Sequence, residues 1–383
     1  MRIIKNNYRR CDLCEKDDLE ELYSYQIQQK TKNNISLWNV RNVICRYCGF
    51  AFVSPSPSEE SLEEHYADSY ELSSNLIPDY SVEKRICLIK NFLRQDSHST
   101  YFEIGSNNCK AFKIELEKIF SNLASLEINK SCDSSFKDIK KIPELSADIL
   151  AAYFVLEHVP NPKNFLLSYR DILSDDGVFI IEVPNLLIYP RDPAGLDLCE
   201  HVNHFSPYTL SELANECGYE IIETSYNKCS REFGFVAVLK KSTTIFHRNK
   251  KNRNEFIIGR SCILEGLEVL KRLEHKINFS RNILKERSNV IIWGANWYCM
   301  RLLNGFKFPD DNEATIIDID IRKKDYLPGY TIYTPEEVLD KIERADFFII
   351  NTHFYAGEIK DWIVKNTGKL VSAENSIVID YFD

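Results

Sequence analysis

The 383-residue sequence has no apolar run approaching the roughly 20 residues needed to span a bilayer, which excludes a membrane span. Its opening, MRIIKNNYRRCDLC, lacks an apolar core behind the basic residues, so no secretory signal is read there and a cytoplasmic protein is expected. Net positive charge is missing as well. With 48 Lys and Arg against 57 Asp and Glu the formal charge is −9, and without a clustered basic surface a dedicated nucleic-acid binder is not expected. There is no repeat at a period of about 20 to 50 residues and no low-complexity tract. What remains is an ordinary globular composition, 44% hydrophobic and 27% charged, long enough for two or three domains with their own cores.

Twelve cysteines suggest a disulfide framework until their positions are read, because eight are scattered singly from Cys87 to Cys299. The other four, Cys11, Cys14, Cys45 and Cys48, form two CxxC pairs. Each pair places two thiolates on one turn about a tetrahedral ion, and Gly49 after CRYC supplies the open backbone of such a knuckle. Zinc is the expected ion. Four thiolates fill its coordination sphere, so the metal is read as structural rather than catalytic.

Residues 1–79 are polar and cysteine-paired, and include the turn-rich SPSPSEES and the helical SLEEHYADSY; they are read as a zinc-binding module with a connecting helix. From 80 to 241, strand-like runs (TYFEI, ASLEI, DILAAYFV, GVFIIEV, FGFVAVLK) alternate with stretches of helical period, the pattern of a doubly wound α/β sheet. Over 242–288, Ile263, Leu267, Leu270, Ile277 and Leu284 recur at helical spacing and predict a linking amphipathic helix whose many charges form a solvated face. Over 289–383, NVIIWGANW, ATIIDID, ADFFIINT and NSIVIDY predict a second, smaller α/β unit. Its WGANWYC does not make GxGxxG, so a docking or substrate-capping role is preferred there to a second dinucleotide site; His353 in NTHFYAGEI is read as structural.

TYFEIGSNNCKAF reads as a strand, a turn and a helix start, where backbone N–H groups can meet the polar tail of an adenosine-containing cofactor. Glu103 and Gly105 stand at this strand end. Glu127 closes the next strand-like run, where a carboxylate can accept hydrogen bonds from both ribose hydroxyls.

The loop FEIGSNNCKAF is similar to the first motif of class I S-adenosylmethionine-dependent methyltransferases, particularly the zinc-containing sugar C-methyltransferases, where it reads E-I-G-S-N-D-G. The resemblance continues through the two CxxC pairs, the P-x-P turn before HYADSY, FVLEHVPNP, EVPN, EHVNHFS, and DYLPGY and GEI in the last segment. It implies a Rossmann-like class I central domain and a Rossmann-like C-terminal domain. S-adenosylmethionine would be held by Glu103, Gly105, Asn107, Asn108 and Glu127, with Phe154 beside the adenosyl group. The substrate implied is a nucleotide-linked keto-sugar, with Tyr66 and Asn185 among its contacts, and the expected assembly is a monomer or weak homodimer. Three departures are visible: Asn108-Cys109 replace Asp-Gly, Leu198-Cys199 stand where the family has Tyr-His, and CSREFGF lacks the His-Gly-Gly-Ser run.

Glu157-His158 and Glu200-His201 each follow a strand, and strand C-terminal ends share one edge of a doubly wound sheet, so both segments are expected to face the cofactor crevice. For methylation of carbon next to a ketone, a base removes the α-proton while another group steadies the enolate. His201 is assigned as the base and Glu200 as the residue that orients or tunes it. His158 and Tyr70 are assigned to the enolate oxygen or the sugar, and His204 is read as structural. Methylation of oxygen or nitrogen, and a non-catalytic relative that binds a ligand or partner, stay open as alternatives.

Overall fold

The computed structural model describes residues 2–30, 34–69, 79–93, 99–105, 110–127, 135, 146–242, 251–309, 313–324, 327, 329–352 and 355–381. The chain divides into two compact units, Met1–Gly266 and Leu267–Asp383.

In the first unit the strands Thr100–Ile104, Asn122–Leu126, Ala147–Tyr153, Leu173–Pro184, Tyr219–Ser225 and Gly234–Lys241 form one six-stranded sheet. The Thr100 strand lies between the Asn122 and Ala147 strands, parallel to both. The Leu173 strand continues the parallel run beyond Ala147, and the Gly234 strand pairs antiparallel between the Leu173 and Tyr219 strands. From the Thr100 strand the chain first runs outward to Asn122 and then crosses back to Ala147 on the other side. The strand order therefore reverses at the C-terminal ends of Thr100–Ile104 and Ala147–Tyr153, where an open α/β sheet leaves its binding crevice. The α/β expectation with parallel pairing is met. The central strands read as unbroken apolar runs because helices cover both faces: Ile149, Leu150, Ala151 and Ala152 are all buried.

The Cys-bearing segment is built on a hairpin, Leu19–Lys30 paired antiparallel with Ile35–Cys45. Ala51–Val53 adds to the Ile35 strand, and the two-residue strand Asn203–His204 adds to Ala51–Val53. A peptide that follows the fourth strand of the large sheet thus completes the sheet of the N-terminal segment. Both share one core, in which Cys11, Cys45, Phe50 and Phe52 pack in a cluster with Phe102, Leu156 and Phe205. The Phe50 and Phe205 rings lie 5.5 Å apart.

The linking helix is observed over Arg253–Glu286. Its residues up to Gly266 belong to the first unit, where it presses on the cysteine knuckle: a Cβ on Gly49 would stand 2.6 Å from the Glu255 carbonyl carbon. The second unit has five parallel strands, ordered Ile332–Tyr333, Glu313–Ile317, Asn289–Trp293, Phe347–Ile350 and Ser376–Val378, with the helix Ala356–Thr367 among its connections. Among the described residues no helix is long and apolar enough to cross a membrane.

Candidate functional site

The two cysteine pairs sit on facing turns. Cys11 donates and accepts backbone bonds that close its turn, to the Lys16 carbonyl and from the Glu15 amide, and the Gly49 amide closes the other on the Cys45 carbonyl. Glu15 and Gly49 take left-handed backbone, with φ of 60° and 81°. Cys11 Sγ lies 3.4 Å from Cys48 Sγ, and Cys14 Sγ 3.5 Å from Cys45 Sγ. All four sulfurs fall within 4.8 Å of one another and are buried. Sulfurs about 2.3 Å from zinc stand about 3.8 Å apart in a regular tetrahedron, so the donor set and its spacing fit that ion.

At the switch point, Gly105 ends the Thr100 strand with φ of 70°, and its amide donates to the Leu126 carbonyl at 2.9 Å. A Cβ there would meet Val155 Cγ2 at 2.7 Å, so the turn demands glycine. Because Ile104 pairs with Leu126, Glu127 stands at the neighbouring strand end, one residue beyond the ladder. Glu103 accepts from the Tyr101 hydroxyl at 3.4 Å. Burial raises its pKa to about 7, with Glu127 and Glu182 adding to the effect and Arg85 opposing it. Asn107 and Asn108 lie outside the described residues, as do Tyr70 and His353.

Phe154 follows the Ala147 strand with φ of 56°, a conformation that bulky side chains rarely adopt. Its amide donates to the Glu182 carbonyl at 2.8 Å, and its ring lies 5.5 Å from that of Phe233. Glu182 is fully enclosed. It accepts from the Ser230 amide and hydroxyl at 2.9 and 2.6 Å and pairs with Arg85 at 3.1 Å. The Arg85 guanidinium also covers the Tyr153 ring at 3.9 Å.

Beyond Phe154 the chain makes one 3-10 turn, Leu156–His158. Asn203 pins it, its side-chain amide donating to the Leu156 and Val159 carbonyls at 2.9 and 2.8 Å, while the Val202 amide donates to the Glu157 carbonyl. The two histidine segments do converge: the His158 and His201 rings meet edge to face at 4.7 Å. His158 Nδ1 lies 3.1 Å from the Glu200 carbonyl, and His201 Nδ1 2.7 Å from the Gly195 carbonyl. A carbonyl only accepts, so both Nδ1 atoms carry the proton and both Nε2 atoms carry the lone pair. The Tyr66 hydroxyl stands 3.1 Å from His158 Nδ1. Burial pushes both imidazoles below their usual range, His201 furthest, with His158 adding to the effect there.

Glu200, adjacent to His201 in sequence, spends its carboxylate on other partners, accepting from His65 Nε2 at 3.3 Å and from Gln29, while its charge weakly opposes the lowering of the His201 pKa. Burial works against its ionisation, but the His65 hydrogen bond, the nearby histidines and Gln29 hold it at about 2. The carboxylate that joins the histidine pair is Glu157, buried to 1% exposure. Among the described residues neither of its oxygens has a hydrogen-bond partner, and burial pushes its pKa well up. Arg85 and His65 carry no motif signal in the sequence, and Glu157 is marked there only as part of the Glu157-His158 segment, without a role of its own. Asn185 is buried, with its Oδ1 accepting from the Leu187 amide at 3.1 Å. His204 is satisfied on both nitrogens, by the Tyr189 hydroxyl at 2.9 Å and Asn42 Oδ1 at 2.8 Å.

Residues 70–224, less than half of the chain, match a family described as "Methyltransferase domain". No curated protein matches the sequence. Among solved structures, the mitomycin 7-O-methyltransferase MmcR is 13% identical with a TM-score of 0.33, over 42% of this chain and 54% of its own. An S-adenosylmethionine-dependent methyltransferase from Clostridium acetobutylicum is 11% identical at 0.32, over 43% and 93%. The 1,6-didemethyltoxoflavin-N1-methyltransferase of Burkholderia thailandensis is 12% identical at 0.36, over 50% and 96%. Likenesses this low carry no argument about activity or substrate.

Proposed function

We propose that the protein is an S-adenosylmethionine-dependent methyltransferase that methylates a carbon next to a carbonyl, on a nucleotide-linked keto-sugar. The observation that carries this reading is the convergence of His158, His201 and Tyr66, in a sheet whose strand order reverses and in a chain whose residues 70–224 match a methyltransferase-domain family. The crevice residues fit the cofactor: a glycine turn at one strand end and the Glu127 carboxylate at the next suit a ribose and an amino-acid tail. Bound there, S-adenosylmethionine supplies an electrophilic methyl group. His201 takes the α-proton at Nε2, with Nδ1 held by the Gly195 carbonyl so that the lone pair faces one way. In its neutral tautomer His158 offers only a lone pair at Nε2, so the Tyr66 hydroxyl is the donor assigned to the enolate oxygen. The cysteine quartet holds a structural zinc.

Replacing His201 by Asn tests the base. Turnover should drop by about 100-fold or more, and exchange of the substrate's α-proton with deuterated water should cease, while cofactor affinity is kept. Full activity in His201→Asn, or a product methylated at oxygen or nitrogen, refutes the carbanion route. The absence of any S-adenosylmethionine binding in calorimetry at millimolar ligand refutes the enzyme.

A further inference from the structure

Glu157 presents a physical problem that methyl transfer does not solve. An enclosed carboxylate without a hydrogen bond is costly in either protonation state, and sites that keep one usually provide it with a partner. Its surroundings supply two lone pairs of the kind a cation binds. Both Nδ1 atoms of His158 and His201 are spent on backbone carbonyls, which is how imidazoles are oriented when their second nitrogen ligates a metal. One Glu157 oxygen lies 3.9 Å from His158 Nε2, and ligating atoms of Glu157, His158 and His201 all lie within 4.8 Å of one another.

We propose that Glu157, His158 and His201 form a second metal site, for a first-row divalent ion of the zinc or cobalt type. Two imidazoles and one carboxylate leave coordination positions open, unlike the closed cysteine quartet, and nitrogen donors select such ions over magnesium and calcium. Ligand atoms about 2.1 Å from an ion stand about 3 to 3.4 Å apart, so binding draws the three groups together by about 1 Å. The ion supplies the opposite charge that the Glu157 carboxylate lacks among its described neighbours. It uses the same His201 lone pair that the proposed proton removal uses, so a bound ion blocks that step, and the base role of His201 belongs to the ion-free form. The site is defined without cofactor or acceptor, and its failure leaves the methyl-transfer reading untouched.

The test uses the full chain with the cysteine quartet already loaded with zinc. Calorimetric titration with Zn2+ or Co2+, checked by elemental analysis after gel filtration, should find one further equivalent, and Mg2+ none. Bound cobalt should show visible absorption without a thiolate charge-transfer band, which distinguishes it from cobalt exchanged into the quartet. Glu157→Gln and His158→Asn should each weaken the further equivalent by about 100-fold or more, since even outer-shell partners of a metal are worth 10- to 100-fold. Glu200→Gln, whose carboxylate faces His65, should retain it. Glu157→Gln removes an unpaired buried acid, so without the ion it should melt no lower than the parent; should it fail to fold, His158→Asn decides. No further equivalent at millimolar Zn2+, or one that persists in the variants within tenfold, overturns the site.

Discussion

Asn203→Ala removes a side chain that makes three buried contacts: two donations that pin the Leu156–His158 turn, at 2.9 and 2.8 Å, and one acceptance from Arg9 Nη2 at 2.6 Å. Asn203 is 2% exposed, so water cannot replace the lost partners. A neutral bond contributes about 0.5–1.5 kcal/mol and one to a charged group about 1.5–3, which places the loss near 4 kcal/mol. For a unit of this size, 1 kcal/mol moves the melting temperature by about 2–4 °C, so a fall of about 10 °C is expected in differential scanning calorimetry. Asn185→Ala is the matched control: this equally buried asparagine gives up the single bond its Oδ1 accepts from the Leu187 amide, for about 1 kcal/mol and roughly 3 °C. Equal shifts for the two variants, or a fall below about 4 °C for Asn203→Ala, refute the claim that Asn203 secures the turn.

Cys45→Ser/Cys48→Ser should lose the equivalent of zinc assigned to the quartet, and with it much of the first unit's stability; elemental analysis showing undiminished zinc would remove that assignment. Glu127→Ala deletes the acceptor proposed for the ribose, so S-adenosylmethionine affinity should fall at least about tenfold in calorimetry, and unchanged affinity would place the ribose elsewhere. Glu103, with its pKa raised to about 7 from 4.5, favours the folded state below pH 4.5 and loses that contribution as pH rises to 7. Melting of the first unit should therefore decline across this window, and Glu103→Gln should flatten the decline; an unaltered slope would show that the group titrates normally.

The central strands were legible because they are buried on both faces and read as continuous apolar runs. Tyr219–Ser225 was not, since this edge strand alternates buried and exposed residues and offers only Tyr219 as a fully enclosed side chain. The long hairpin Leu19–Lys30 with Ile35–Cys45 was hidden by its many polar and charged residues. Convergence of His158 and His201 followed from the rule that strand ends share one edge. Which carboxylate would join them did not follow: Glu200 lies in a turn closed by the His201 amide on the Leu198 carbonyl, and there its carboxylate faces His65 while the His201 ring faces His158. That the Val202–His204 peptide bridges the Glu157 turn and the Ala51–Val53 strand depends on a pairing across about 150 residues, which no local pattern encodes.

This pairing has a consequence for synthesis. When the cysteine segment leaves the ribosome, Ala51–Val53 has its Ile35–Cys45 neighbour on one side only, and the strand for the other side is about 150 residues from being made. Until then a buried-type edge, with Phe50 and Phe52 awaiting Phe205, is open to any extended chain nearby. The nascent segment is thus a natural client for chaperones, and an isolated 1–79 fragment should be aggregation-prone even with its metal bound.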